Sequence, residues 1–287
     1  MTEYKITICI LHYNKLDRLK NTVEKIRSNT PNSYKIKILN NGYIDNDISE
    51  YLSGIDRRNN IEILYSDNNI GCPPGRNKLL SDINTPFAMT LDDDMYVEEG
   101  WLERALSIFE DNPEIGVVGI PYIDPKTDAL TGGARLNIKS DVICRDELNW
   151  ENLQNKQKKH VPVEHVPGGT MIFRREVLDD FQWDERYFVG VGDFDKDLQL
   201  MESDWEQVMA AEITFYHDIT EDKEYTKVRR DYDEIRRSYE KFQKKWGYRY
   251  PLRDHILFKY FFALPWPIMN LIENVYQNIK RMRHRTI

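Results

Sequence analysis

Phe87-Ala88-Met89-Thr90-Leu91-Asp92-Asp93-Asp94 is a short apolar run that ends in three consecutive carboxylates. A run of that length reads as a buried strand. Carboxylates crowded at a strand tip repel one another at neutral pH, so a site that keeps them ionised holds a cation, and hard oxygen ligands suit Mg2+ or Mn2+. A metal shared with a nucleotide diphosphate would give the repulsion a use. The competing reading is an acidic turn, or a helix N-cap ahead of Val97-Glu98-Glu99-Gly100-Trp101.

On either side of this run, strand-like and helix-like segments alternate. Lys5 to Leu11, Tyr34 to Leu39, Ile61 to Tyr65 and Ile115 to Gly119 read as strands. Leu16, Leu19, Val23 and Ile26 repeat at helical spacing, and helices are expected from about Arg76 to Ile83 and from about Trp101 to Glu110. The alternation predicts an α/β fold with a mostly parallel sheet covered by helices, whose ligands sit at the carboxyl ends of the strands. His12-Tyr13-Asn14, Asn40-Asn41-Gly42 and Asp92-Asp93-Asp94 each follow a strand, so the topology gathers them at one edge.

From about Thr127 to Lys159 the periodicity is lost, which predicts loops around short strands and an excursion on the acceptor side. Val166-Pro167-Gly168-Gly169-Thr170-Met171-Ile172-Phe173 follows, a Gly pair opening a strand, where a ligand can approach the backbone. Between Tyr225 and Trp246 apolar residues alternate at spacings of three and four, an amphipathic helix that packs on its own domain or forms a dimeric coiled coil. The tail carries aromatics from Ile256 to Met269 and then Lys280, Arg281, Arg283, His284 and Arg285. That pattern suits either an anionic membrane surface or an aromatic helix pair packed on the domain or on a second subunit; Lys259, Pro265 and Pro267 argue against a spanning helix.

The 287 residues are 40% apolar, enough for one large core with a small appended unit. A net charge of −8 argues against a nucleic-acid surface, which needs a clustered basic excess. Cys9, Cys72 and Cys144 lie far apart without CxxC spacing, so neither a disulfide framework nor a zinc site is indicated and a reducing compartment fits. The N-terminus lacks the apolar stretch of a secretory signal, so a cytoplasmic location is expected, with peripheral contact at the inner membrane face through the tail.

Taken together, Ile6-Thr7-Ile8-Cys9-Ile10-Leu11-His12-Tyr13-Asn14, Asn69-Ile70-Gly71 leading to Gly75-Arg76-Asn77, Leu91-Asp92-Asp93-Asp94 and Gly168 to Arg175 resemble the motif series of family 2 glycosyltransferases of GT-A fold, over roughly residues 4 to 217. The resemblance implies a catalytic domain over 1–220, a helical extension over 221–287, and a nucleotide-sugar donor, UDP-linked by preference, across the sheet edge. It places Asp94 as direct metal ligand, Asp92 beside the ribose or a metal-bound water, and His217 as a further ligand. Asp93 is counted with the donor-binding residues, or as a structural acceptor turned back into the fold. Tyr13, Asn14, Asn40 and Asn41 are expected at the nucleobase, Arg76, Asn77 and the helix amides at the diphosphate, and Gly169 against the donor. Asn40 stands where the family commonly has an aspartate.

Family 2 enzymes invert, which implies a carboxylate base for the acceptor hydroxyl. The candidates lie in Gly192-Asp193-Phe194-Asp195-Lys196-Asp197, which lacks the family's usual glutamate. Asp193 as base keeps the family's separation to His217; Asp195 as base recovers the Asp-x-Asp-Leu string. Both stand as candidates, Asp193 first, with helix N-terminal acids as the bland alternative. The expected activity is metal-dependent transfer of a hexose or N-acetylhexosamine to a glycan, lipid-linked or protein acceptor in cell-surface polysaccharide assembly, with a homodimer possible. The rivals are an inactive relative that scaffolds or binds glycans, and a sugar-phosphate nucleotidyltransferase, which would need a Gly-rich basic loop after the first strand.

Overall fold

A computed structural model describes residues 4–31, 33–43, 45–55, 60–124, 128–139, 141–154, 158–218 and 231–248. The N-terminal half alternates as expected: β1 (Ile6–His12), α1 (Leu16–Asn29), β2 (Tyr34–Asn41), α2 (Asn46–Ile55), β3 (Ile61–Ser66), α3 (Cys72–Leu80), β4 (Phe87–Asp92), β5 (Met95–Tyr96), α4 (Trp101–Asp111) and β6 (Ile115–Gly119). An excursion follows through β7 (Tyr122–Asp124), β8 (Ala129–Thr131), β9 (Ala134–Lys139), β10 (Val142–Glu147), α5 (Trp150–Gln154) and β11 (His160–Pro162). The chain then returns through β12 (Thr170–Arg174), α6 (Val177–Asp180), α7 (Gly192–Met201), β13 (Glu206–Ala210) and β14 (Phe215–His217), and α8 (Tyr232–Trp246) comes last.

The main sheet runs β11-β13-β6-β12-β4-β1-β2-β3. Its β4-β1-β2-β3 half is parallel throughout, and β1 is buried on both faces because helices cover both. Ile6, Ile8 and Ile10 pack with Leu19, Val23 and Ile26 of α1, while Cys9 on the other face packs with Leu79 of α3. The other half departs from the expected parallel order, because β12 is antiparallel to both β4 and β6. The reason is topological: the excursion ends at the edge where β4 finishes, so the next strand must start there and run back. This puts Gly168 and Gly169 at the rim beside Asp92.

Helix α3 starts four residues ahead of the expected Arg76, since Pro73 and Pro74 suit a first helical turn where amide hydrogens have no partner. A small sheet, β5-β14-β7-β8, pairs His217 with Met95 and thereby sets His217 next to Asp94.

Helix α8 is capped by Asp231, whose side chain accepts from Glu234 N–H, and ends at Gly247 in the left-handed region. Its apolar seam packs on its own domain, with Phe242 among Ile143, Tyr187, Val191, Phe194 and Leu198. Tyr225, Val228 and the aromatic and basic tail from 249 onward lie outside the described residues. No described helix is long and apolar enough to cross a membrane.

Candidate active site

The site grows from the β4 tip, where the three carboxylates diverge. Asp92 faces outward, its side chain 45% exposed, with Oδ1 3.4 Å from Arg76 Nη2. Asp93 turns back into the fold: its Oδ2 lies 2.5 Å from Nδ1 of the buried His12, and its carbonyl accepts from Thr22 Oγ1 at 2.9 Å. Burial pushes the Asp93 carboxyl up, and His12 pulls the other way without cancelling it. Asp94 sits between two cationic or basic groups, with Oδ2 3.3 Å from Arg18 Nη1 and Oδ1 3.3 Å from His217 Nε2. Its carbonyl accepts from Asp218 N–H at 2.8 Å, which ties β14 to the strand tip.

Arg76, buried on α3, links the rim to α7. One guanidinium nitrogen reaches Asp92, the other is 3.0 Å from Asp193 Oδ1, and the Trp183 ring lies 5.5 Å from its Cζ. Asp193 also accepts from Gly168 N–H at 3.2 Å. Burial alone would raise the Asp193 carboxyl, but Arg76 leads the groups that hold it below the usual carboxylate range. The Gly pair makes this approach feasible. A Cβ at Gly168 would stand 1.9 Å from the Arg76 guanidinium, and one at Gly169 would stand 2.2 Å from Asp92 Oδ2. Gly169→Ala is therefore expected to leave the fold intact, since the half-exposed Asp92 carboxylate can swing away. The glycosyl transfer that the sequence resemblance implies should fall by up to about 100-fold, the scale of a ~1 Å misplacement; wild-type turnover would refute the close-packed rim.

Asp195, the other candidate base, faces the core. It is fully buried, and its carboxylate takes hydrogen bonds from Tyr187 Oη (3.2 Å), Gln199 Nε2 (2.7 Å) and Trp246 Nε1 (2.7 Å), with Lys245 Nζ at 2.7 Å. It joins α7 to α8 and has no free approach from the rim.

Three amides expected to contact the donor act as braces. Asn77 donates to the Trp183 carbonyl at 2.8 Å and accepts from Trp183 N–H at 3.1 Å, and so anchors the segment before α7. Asn41 donates to Asn69 Oδ1 and the Gly71 carbonyl and accepts from Ile70 N–H. Asn40 closes a turn with both backbone groups of Tyr43, where Gly42 at φ 82° lies so close to Asn68 that a Cβ would fall 2.0 Å from its carbonyl carbon. The N-terminus of α3 also differs from expectation as an anion site. Cys72 N–H bonds the Phe188 carbonyl, Pro73 and Pro74 have no N–H, and Gly75 N–H bonds Gly71. Tyr13 and Asn14 stay half-buried after β1, and the Tyr13 ring meets Tyr43 edge-on at 5.3 Å.

Tyr122, not singled out from the sequence, belongs to the site. Its ring meets His217 edge-on at 5.1 Å, and burial, with Asp92, Glu147 and Asp124 adding to it, pushes its hydroxyl up to about 12. It follows the carboxyl end of β6, so the rule that ligands sit at strand ends would have found it. Among the described residues, no group of three or more His, Cys, Asp or Glu is arranged to hold a metal.

Comparisons with known proteins agree with this architecture. No curated protein sequence matches the chain significantly. The crystal structure of GalNAc-T7 with UDP, GalNAc and Mn2+ superposes with a TM-score of 0.62 at 15% identity, covering 75% of this chain. This chain spans 44% of that one, and at such identity the likeness speaks for the GT-A fold alone. The family model described as Glycosyl transferase family 2 matches residues 7–181, which takes in the β4 carboxylates, Arg76 and the Gly pair and stops short of Asp193 and His217. With more than half of its length matched, the chain belongs to glycosyl transferase family 2.

Proposed function

We propose that this protein transfers a sugar from a UDP-linked donor to a hydroxyl acceptor, with Mn2+ bound at Asp94 and His217 and with Asp193 as the base. The observation that carries the reading is the Asp94–His217 pair. Two ligands side by side on one octahedral ion, each at about 2.1 Å, lie about 3 Å apart, and Asp94 Oδ1 and His217 Nε2 are 3.3 Å apart. Two protein ligands suffice for such an ion when substrate phosphates and water supply the rest. The imidazole tilts the pair toward Mn2+ over the harder Mg2+. Bound there, the ion would neutralise charge on the departing diphosphate.

The chain's own residues do the remainder. Arg76 bridges Asp92 and Asp193, so the donor-side and acceptor-side carboxylates keep a fixed relation. Arg76 and Gly168 N–H hold Asp193 ionised and oriented, ready to take the acceptor hydroxyl's proton as the oxygen attacks. Asp92 remains open toward the ribose, and Tyr13 with Tyr43 offers an aromatic flank for the base. Uridine is favoured because GalNAc-T7, a structural neighbour, has been solved with UDP and Mn2+. The acceptor class is a glycan, glycolipid or glycoprotein, in a cell-surface polysaccharide setting.

Incubation with UDP-, GDP- and dTDP-sugars tests the reading. UDP release from a UDP-sugar, supported by Mn2+ and suppressed by EDTA, is the expected result. No release and no thermal shift with any nucleotide would instead match an inactive relative, and formation of a nucleotide sugar from a nucleoside triphosphate would match a nucleotidyltransferase.

A further inference from the structure

Behind the rim, charged and titratable groups from three parts of the chain pack together. Asp197 and Lys196 come from α7, His165 from the segment before Gly168, and Arg145 from β10. The side chains of Lys196 and Asp197 are 0% exposed and that of His165 is 4% exposed. His165 Nδ1 lies 2.5 Å from Asp197 Oδ2, and its Nε2 lies 3.1 Å from Arg145 Nη1. A guanidinium has only donors, so Nε2 accepts and Nδ1 carries the hydrogen given to Asp197. The imidazole is thereby gripped at both nitrogens. Lys196 pairs with the other Asp197 oxygen and donates to the Val166 carbonyl at 3.1 Å and to Gln207 Oε1 at 3.0 Å.

The arrangement docks one short segment on α7 at three points. Asp193 and Asp197 stand four residues apart, one turn along the same helix face. Gly168 N–H reaches the first and His165 Nδ1 the second, with the Val166 carbonyl on Lys196 between them. On its far side His165 ties in the β9–β10 hairpin, where the Arg145 Cζ lies 5.4 Å from the Phe194 ring centre and that ring stacks on His165. Replacing a buried ionic cluster by well-packed apolar groups of similar volume is often neutral or stabilising, so stability alone does not account for this one. What the cluster supplies is a fixed geometry between the segment and α7.

We infer that His165 is a positioning residue for the transfer step: it locks the 165–168 segment onto α7, and so fixes Asp193, with Arg145 holding it from the hairpin. The inference rests on Asp193 as base. Asn at 165 places an amide near the Nδ1 position, whereas Leu removes both contacts; Asp197 keeps Lys196 in either variant, so the core charge is never unpaired. Arg145→Met, on a side chain 35% exposed, cuts the hairpin link without opening the core.

UDP release from UDP-GlcNAc, UDP-GalNAc and UDP-Glc with Mn2+, the Kd of UDP with Mn2+, and Tm are measured for each protein. His165→Leu should lower kcat about tenfold or more with the UDP Kd within about twofold of wild type. His165→Asn should recover to within about threefold of wild type, with Arg145→Met between the two. An active wild type whose kcat is indifferent to His165→Leu overturns this inference alone. So does a loss in which kcat, UDP affinity and Tm fall together, or an Asn variant no better than Leu. A wild type that releases no UDP overturns the proposed UDP-sugar transfer, and with it this inference, which rests on that reading.

Discussion

Asp94→Ala is expected to lower kcat/KM for metal-dependent UDP release by about 1,000-fold or more, the loss of a group proposed to hold the ion that stabilises the leaving phosphate. Asp94 is the carboxylate that faces His217. Its structural contribution is moderate. The side chains of Asp94, Arg18 and His217 are only 16%, 9% and 17% exposed, so the substitution takes a partner from a nearly buried guanidinium and costs about 1–3 kcal/mol. The Asp218 N–H bond goes to the Asp94 carbonyl and survives the substitution. The variant should therefore stay folded with a lowered Tm, while losing Mn2+-supported binding of UDP altogether. Wild-type activity in a folded Asp94→Ala protein would remove the metal reading.

Asp193→Asn should lower kcat by about 100- to 10,000-fold, the usual scale for a general base, while leaving the affinity for UDP with Mn2+ unchanged. The substitution is isosteric, and the amide oxygen can still accept from Gly168 N–H or Arg76. Asp195→Asn provides the contrast, because its carboxylate meets Lys245, Trp246, Tyr187 and Gln199 and not the rim. That variant should lose stability, and any activity change should follow Tm.

The pH dependence carries a sign that can be checked. The folded-state pKa of Asp193 is lowered from 3.8, so its ionised form contributes stability above the unfolded value, and that contribution is lost as pH falls through the folded value. The same direction places the acid limb of kcat/KM from this group below the ordinary carboxylate range. Replacing Arg76 by Met would move that limb upward, because Arg76 is the leading group that lowers it. An acid limb that stays put in Arg76→Met would argue that Asp193 is not the base.

Much of the sheet was legible because strands and helices carry different periods. Ile6, Ile8, Ile10 and the run before Asp92 announce buried strands in any context. The reversed β12 was not legible, since nothing in Thr170-Met171-Ile172-Phe173-Arg174 encodes strand direction. Only the end of the excursion fixes it. The identities at the β4 tip were legible as chemistry, while their separate directions came from partners far along the chain: His12 for Asp93 and His217 for Asp94.

Distance along the chain also explains two of the three amides. Asn77 and Trp183 are 106 residues apart and Asn41 and Ile70 are 29 apart, so local sequence presents each amide as free when its groups are engaged. The choice between Asp193 and Asp195 turned on helix phase. Two positions on a helix differ by about 200° in direction, so one carboxylate reaches Arg76 at the rim and the other lies under α8. Sequence spacing allowed both registers and could not show that α8 lies over one of the two carboxylates. His165 was unreadable for the same reason, its partner Asp197 lying 32 residues away on a helix whose buried face could not be phased in advance.

Electron spin resonance of Mn2+ bound with UDP would show whether His217 is a ligand, because a coordinated imidazole couples its nitrogen nucleus to the metal's electrons. The nitrogen coupling should be present in the wild type, absent in His217→Ala, and accompanied by a manganese signal that Asp94→Ala fails to retain. A wild-type complex with UDP and bound Mn2+ but no such coupling, or with the coupling unchanged in His217→Ala, would place the ion elsewhere and contradict the site described above.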